Sequence, residues 1–441
     1  MVARPAAGLW LNSTTTKPAK TDCTDISPRI ASTQNLPKSQ AWQALPQRSR
    51  KHKRRFKSLA AILSVMSISR PASFDDITYP MSERPGKGEL QAVAPGVYWL
   101  AMPMSGSLAF INVYFLEDHN GWWIVDTGLS NKQTTEVWED VFANALGGKP
   151  VVGVICTHMH PDHIGQAKHI TDRFHCPLYM TQGEYFQARS FANGGGISQS
   201  GWIGEQFYVQ AGMPKDYLEQ LAKMWASRAS EGMSMPTMVQ GFERLQDGQI
   251  LRIGDTDWQI VVGAGHSPEH ACLYSSALKV LISGDQILPI VTSNVSVHPT
   301  EPNANPLKNW MESHDHFLEV IPEDTFILPG HNLPFFGVKP RLRDLINHHE
   351  DRMLAIEEAC VEPQIAKDLL PVLFARKLDS GQMMMALGEA IAHIHLLIHR
   401  NRLQRIESDD GVYRFRSVDP ALPRRAHPND HEAPDDQPAY V

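Results

Sequence analysis

Cysteine is scarce: Cys23, Cys156, Cys176, Cys272 and Cys360 are scattered without paired spacing, and five thiols cannot all pair within one chain. A disulfide framework is excluded, and the pattern points to a reducing, cytoplasmic compartment. Long apolar runs are also missing. The stretch over residues 59–68 is far too short to span a bilayer and lies too far from Met1 for an ordinary signal peptide. Nor is there a basic excess: the net charge of −7 disfavours a whole-surface affinity for nucleic acid, although a local basic groove would be hidden in that sum. What remains is a chain of 441 residues, 42% of them hydrophobic, enough for a sizeable core and more than one domain.

Residues 1–80 have a composition of their own, rich in Ser, Thr, Pro and Lys/Arg, with the basic run Arg48-Ser49-Arg50-Lys51-His52-Lys53-Arg54-Arg55. They read as a solvated arm, open to interpretation as a targeting segment, a basic tail or an upstream start preceding Met81. Residues 421–441 read as a disordered tail. Short β-rich runs begin at Val97 and continue through Asp126, then 151–157, with a helix expected over 164–174. A second group of strands covers 249–253, 258–262, 271–275, 280–283 and 325–328. Two β-rich halves with helices between them imply two mixed sheets covered by helices, an α+β catalytic domain over 81–339.

Between the halves, residues 184–244 carry Gly194-Gly195-Gly196 and then Trp202, Phe207, Tyr208, Met213, Tyr217, Met224, Trp225, Met233, Met235 and Met238. This is either a helical insertion packing its own core or a lid lining an apolar substrate pocket. After Pro340, helices are expected over 342–360, over 365–374 with Pro371 cutting it short, and over 383–403 running on toward 416. Asp410-Gly411 before the alternating run 412–416 cues a hairpin, making 340–420 a small winged-helix-like domain. His393, His395, His399 and Arg400 suit a packing or metal-adjacent face as well as a phosphate-binding one.

The chemistry is concentrated in Thr157-His158-Met159-His160-Pro161-Asp162-His163, which follows a strand and opens a helix. His158 and His160 alternate and can face one metal, while Asp162 and His163 can turn toward a second. Downstream, His266 (with His270 competing for its role), Asp285 and His331 each follow an apolar run and a small-residue turn. Seven nitrogen and oxygen ligands exceed what one tetrahedral zinc uses, but suit two adjacent divalent metals with an open position for water. The residues therefore imply a metal-dependent hydrolase.

In these motifs and their order, from Val125-Asp126-Thr127-Gly128 onward, residues 97–336 resemble the metallo-β-lactamase-fold hydrolases. The resemblance implies an αββα sandwich with the metals at one edge of the sheets. It implies that His158, His160 and His266 hold one metal, Asp162, His163 and His331 the other, and that Asp285 bridges them. Asp162 and Asp285 would carry the catalysis, with Asp126 and His270 supporting the ligands from outside. The metals would be two divalent ions, zinc first, with iron or manganese as alternatives. Their charge, less Asp162, Asp285 and a bridging hydroxide, leaves about +1 to receive a developing oxyanion.

True β-lactamases of this fold generally lack the bridging carboxylate, so Asp285 points away from antibiotics. The remaining groups resemble glyoxalase II and related thioesterases and lactonases, or the endoribonuclease β-lactamase-like protein 2, whose small C-terminal domain the helical tail resembles. The Met- and aromatic-rich insertion favours a small, partly apolar ester, thioester or lactone over a phosphate backbone. Asn294 and His298 are candidates for reaching the leaving group. The sequence is silent on oligomeric state.

Overall fold

Strands that are apolar at successive positions need cover on both faces, and that need organises this molecule. The computed structural model describes residues 76–104, 110–192, 201–230 and 236–419, without the side chains of 224–230 and 380–381. β1 (Gln91–Ala94), β2 (Val97–Pro103), β3 (Phe110–Asp118), β4 (Gly121–Val125), β5 (Val151–Ile155), β6 (Leu178–Met180) and β7 (Glu243–Arg244) form one seven-stranded sheet in chain order. It is antiparallel from β1 to β4 and parallel from β4 to β7. β8 (Ile250–Ile253), β9 (Thr256–Gly263), β10 (His270–Ser275), β11 (Val280–Gly284) and β12 (Phe326–Pro329) form a second sheet in the order β12-β11-β10-β9-β8, with only β11 and β12 parallel.

The helices are α1 (Lys132–Asn144), α2 (Pro161–Ile164), α3 (Ala167–Phe174), α4 (Gln182–Ser190), α5 (Gly201–Gln210), α6 (Lys215–Ser230), α7 (Pro306–Val320), α8 (Val338–Ala359), α9 (Leu370–Leu373) and α10 (Ser380–His399). Side-chain alternation sorts the strands into layers. Trp99, Tyr114, Val125 and Ile155 of the first sheet meet Trp258, Ile260, Leu273, Ile282 and Leu328 of the second in a shared inner core. The other face of the first sheet, with Leu100, Val113, Phe115 and Val154, packs on Trp138 of α1 and Ile170 of α3. The other face of the second, with Val261, Cys272, Leu281 and Ile327, is covered by α7, α8 and α10 through Trp310, Leu342, Met353, Leu387 and Ile394. The order helix, sheet, sheet, helix is the α+β sandwich expected.

Local departures have local causes. The helix expected over 164–174 is broken into α2 and α3 at Gln166 (φ −107°, ψ 5°), whose amide bonds Thr127 Oγ1 at 3.1 Å, while the preceding Gly165 packs so tightly on the 128–130 loop that a Cβ there would lie 2.3 Å from the Ser130 amide. The last long helix stops at His399 instead of reaching 403, because Asn401 takes left-handed φ of 56°. The Arg402 amide then bonds the Leu397 carbonyl at 2.9 Å, closing a Schellman turn. Leu403 thus starts β14 (Leu403–Ile406), which pairs antiparallel with β15 (Arg414–Ser417), joined on its other edge by β13 (Gln364–Ile365). The hairpin is present, but a longer loop containing Asp410-Gly411 joins its strands. In place of one helix over 365–374 there is a short 3-10 turn (Ala366–Leu369) followed by α9, with Pro371 in its first turn, where the missing N–H costs nothing.

The expected insertion is narrower than 184–244. Glu184 lies in the buried first turn of α4, and Glu243–Arg244 is the edge strand β7. Phe207, Tyr208, Met213 and Leu221 join the core beneath the C-terminal helices and Met238 joins the core of the first sheet, while Trp202 remains 73% exposed. Packing therefore accounts for most of the described bulky residues there. The expected arm also ends earlier than residue 80, since Thr78 and Phe336 exchange backbone hydrogen bonds of 3.1 and 2.9 Å. The basic run 48–55, Gly194 to Gly196, the side chains of Met224 and Trp225, Met233, Met235 and the 421–441 tail lie outside the described residues. Among the described residues no helix is long and apolar enough to cross a membrane.

Candidate metal centre

All the motif residues emerge at one end of the two sheets. Asp126 follows β4, the 157–163 segment follows β5, His266 lies between β9 and β10, Asp285 follows β11 and His331 follows β12. Loops on a rigid sheet are where functional groups are presented. Three groups of donor atoms form there, each within 4.8 Å of one another: His158, His160 and His266; His158, His163 and Asp285; and Asp162, His163 and His331.

The spacings suit shared ions. Ligand atoms about 2.0–2.2 Å from a tetrahedral ion lie roughly 3.3 Å apart. His158 Nε2 is 2.9 Å from His160 Nδ1 and 3.3 Å from His266 Nε2. His331 Nε2 is 3.2 Å from Asp162 Oδ2, and His163 Nε2 is 3.6 Å from the same oxygen. Asp285 lies between the groups, with its carboxylate 3.7 Å from His266 Nε2 and 3.5 Å from both His163 Nε2 and His331 Nε2. Deep burial leaves His163 Nε2 and Asp285 Oδ1 with no hydrogen-bond partner. Buried polar atoms normally have one. This donor set and these two orphaned atoms fit a cationic group.

The far side of each ring is fixed by the protein. Asp126 Oδ2 accepts a hydrogen bond from His163 Nδ1 at 2.8 Å, the Asn294 carbonyl one from His266 Nδ1 at 2.7 Å, and the Phe110 carbonyl one from His331 Nδ1 at 3.1 Å. Each contact leaves Nε2 basic and aimed at the centre. Asp126 also accepts the Thr157 amide at 2.8 Å, with its own backbone at φ 63°. Such a conformation persists where surrounding bonds over-determine it. His270, stacked on His158, accepts the Asp285 amide at 3.1 Å and belongs to none of the three groups. Asn294 is engaged on both sides, its amide reaching Glu389, and His298 is half-buried, with its pKa lowered by that burial and by the His266 ring.

Electrostatics divides the cluster. Burial, reinforced by neighbouring imidazoles, holds His158 well below its usual range and takes His160 to about 3. His266 is also lowered by burial, against the pull of Asp285. Burial acts downward on His163 and His331 too, but nearby carboxylates outweigh it, holding His163 well above the ordinary range and His331 near about 10. Against burial, the same imidazoles pull Asp162 down to about 2 and hold Asp285 well below the carboxylate range. One side is thus a set of neutral donors, while the other holds protons where cations would sit.

Sequence reasoning missed several supports. Glu184, fully buried, accepts the Met159 amide at 2.9 Å and the Glu269 amide at 2.8 Å, tying the His158–His160 loop to the His266–His270 loop. Glu269 answers by accepting the Gly183 amide at 2.8 Å, a reciprocal cap on α4 formed between distant segments. On β3, Asn112 and Tyr114 both bond the Pro329 carbonyl at 2.8 Å and anchor the turn before His331. Arg341 of α8, buried, donates to the Leu288 and Val291 carbonyls and shapes the loop after Asp285. None had a spacing signal, because each acts through backbone groups far away in sequence.

The sequence profile described as metallo-beta-lactamase superfamily matches residues 106–331, and that of the metallo-beta-lactamase-like C-terminal domain matches 353–418. The chain belongs to the metallo-beta-lactamase superfamily and is a metallo-hydrolase in class. It is similar to a solved beta-lactamase domain protein from Burkholderia ambifaria, 36% identical with TM-score 0.70, covering 78% of this chain and 98% of that one. A metallo-beta-lactamase family protein from Thermus thermophilus, 24% identical with TM-score 0.61 over 74% of this chain and all of its own, shares the fold. Human acyl-coenzyme A thioesterase MBLAC2 is 22% identical over 207 residues, covering 45% of this chain and 65% of the relative.

Proposed function

We propose that this protein hydrolyses an ester, thioester or lactone of a small, partly apolar substrate at a centre of two divalent metal ions, with zinc the first choice. The observation that carries this reading is Asp285, whose carboxylate lies within 3.7 Å of imidazoles from both donor groups while its Oδ1 has no partner. His158, His160 and His266 would hold one ion, Asp162, His163 and His331 the other, and Asp285 both. Bound there, such ions polarise a carbonyl oxygen and bring the pKa of a water toward about 7. The chain's own part is preorganisation. Asp126, Asn294 and Phe110 fix the imidazole tautomers, Glu184 holds two ligand loops in register, and burial excludes bulk water. The thioesterase named among the relatives supports acyl chemistry, and the net charge of −7 supports a small substrate over a polyanion.

Elemental analysis of protein purified without chelator is expected to find about two transition-metal ions per chain. One tightly held ion, or none, would overturn the dinuclear centre. A parallel assay of acyl-CoA and glutathione thioesters, lactones, aryl esters and single-stranded RNA, with and without chelator, tests the reaction. Acyl hydrolysis lost on chelation is expected; RNA cleavage lost on chelation with the esters untouched would replace the proposal with a nuclease. Asp285→Asn is expected to lower kcat by about 100-fold or more while leaving the melting temperature near that of the parent.

A further inference from the structure

Residues 293–297, between β11 and α7, belong to no helix or strand, so contacts with other elements must fix their backbone. One side of this segment meets the metal cluster. The Ser293 hydroxyl donates to the Asp285 carbonyl, and the Asn294 carbonyl accepts from His266 Nδ1 at 2.7 Å. Two candidate ligands from different loops therefore depend on where these few residues are held.

The other side is fastened to α10. Asn294 Nδ2 donates to Glu389 Oε2 at 3.1 Å, and the Ser296 hydroxyl donates to Asn294 Oδ1 at 2.6 Å and lies 3.1 Å from the Met385 carbonyl. The Val297 amide donates to the Gly388 carbonyl at 3.1 Å. The approach is close, since a Cβ at Gly388 would lie 2.8 Å from Ser296 Cβ and 2.9 Å from the Val297 carbonyl oxygen. Glycine is disfavoured inside a helix, and here it makes room for the segment. Glu389 is only 8% exposed, and a carboxylate that deep is costly without hydrogen bonds. The partners of His163 and His331 lie within the sandwich itself, Asp126 after β4 and Phe110 at the start of β3. The support of His266 is instead tied to the C-terminal helices.

We infer that Glu389 is a positioning residue: acting through Asn294, with Gly388 allowing the close approach, it keeps the His266 ring oriented so that the group of His158, His160 and His266 grips its metal ion. The inference rests on the metal-centre reading above. It gives residues 353–418 a part in metal retention in addition to packing.

The test measures zinc affinity of the folded, full-length protein by competition with a chromophoric chelator. Glu389→Leu, which fills the space but accepts no hydrogen bond, is expected to weaken one zinc site about tenfold or more. Glu389→Gln, whose side-chain oxygen can still accept from Asn294, is expected to restore most of that loss. Gly388→Ala removes no charge and pushes residues 296–297 away from α10; it is expected to weaken zinc as Glu389→Leu does, although alanine favours the helix. Melting temperatures with and without zinc separate positioning from packing. Lost packing lowers both equally, whereas lost positioning shrinks the gain that zinc brings. Zinc held by Glu389→Leu as tightly as by the parent, or Glu389→Gln no better than Glu389→Leu, would overturn the inference while leaving the metal centre intact. If Glu389→Leu does not fold, parental zinc affinity in Gly388→Ala overturns it instead. A parent that holds no zinc would remove the metal centre and this inference together.

Discussion

Two carboxylates buried in the same corner titrate in opposite directions. Burial raises both, but the protonated imidazoles beside Asp285 overcome it, whereas Glu184 faces backbone amides and the nearby Glu269 carboxylate and is pushed up to about 7. Folded, Glu184 therefore binds its proton more tightly than its ordinary value of 4.5. Its contribution to stability is full below pH 4.5 and is lost as pH rises toward about 7. Urea unfolding across that window is expected to show the parent losing stability relative to Glu184→Gln; a flat difference would remove the shift. Glu184→Ala leaves two buried amides without an acceptor, at a cost of about 1–3 kcal/mol each, readable from the same unfolding curves.

The raised values at His163 and His331 set a second expectation at this scale. Near neutral pH both rings hold protons in the metal-free protein, and a metal must displace them. Binding is expected to release about two protons, so that metal affinity weakens roughly 100-fold for each unit the pH falls. Calorimetry in buffers of different ionisation enthalpy counts those protons, and a count of zero would contradict the paired state of these rings.

At the level of strands, helices and turns, the sequence was most readable where one physical rule acts alone. Doubly covered strands announce themselves as apolar runs, and residues 151–157, 271–275 and 280–283 did so. It was least readable where a contact from elsewhere decides. Nothing local breaks the helix after Gly165: Gln166 leaves helical geometry where its amide bonds the hydroxyl of the distant Thr127. Gly165→Ala is expected to cost about 1–3 kcal/mol through overpacking, seen as a lower urea midpoint with unchanged slope. The end of α10 at His399 was missed for a milder reason, since Asn401 is a weaker stop signal than glycine.

For the whole molecule, the residues that gather at the sheet ends were legible and the groups that hold them there were not. The seven metal-site candidates lie close together in sequence or follow recognisable strands, while Glu184, Asn112 and Arg341 act across long separations through carbonyls and amides that no motif displays. The C-terminal segment shows the same limit. Its helices were visible, but not that Leu342, Met353, Leu387 and Ile394 cover the outer face of the second sheet. Ending the chain after residue 339 would uncover Val261, Cys272, Leu281 and Ile327. The expected outcome is insoluble protein or one that binds a hydrophobic dye, and a soluble, cooperatively melting truncation would show that the sandwich stands without that cover.

The shared acceptor at Glu184 has one more consequence, for how this edge of the molecule opens. The amide protons of Met159 and Glu269 belong to loops carried by different sheets, yet both end on the same carboxyl group. Neither can reach solvent without disturbing the bond that shields the other, so in hydrogen–deuterium exchange the two are expected to exchange as one unit.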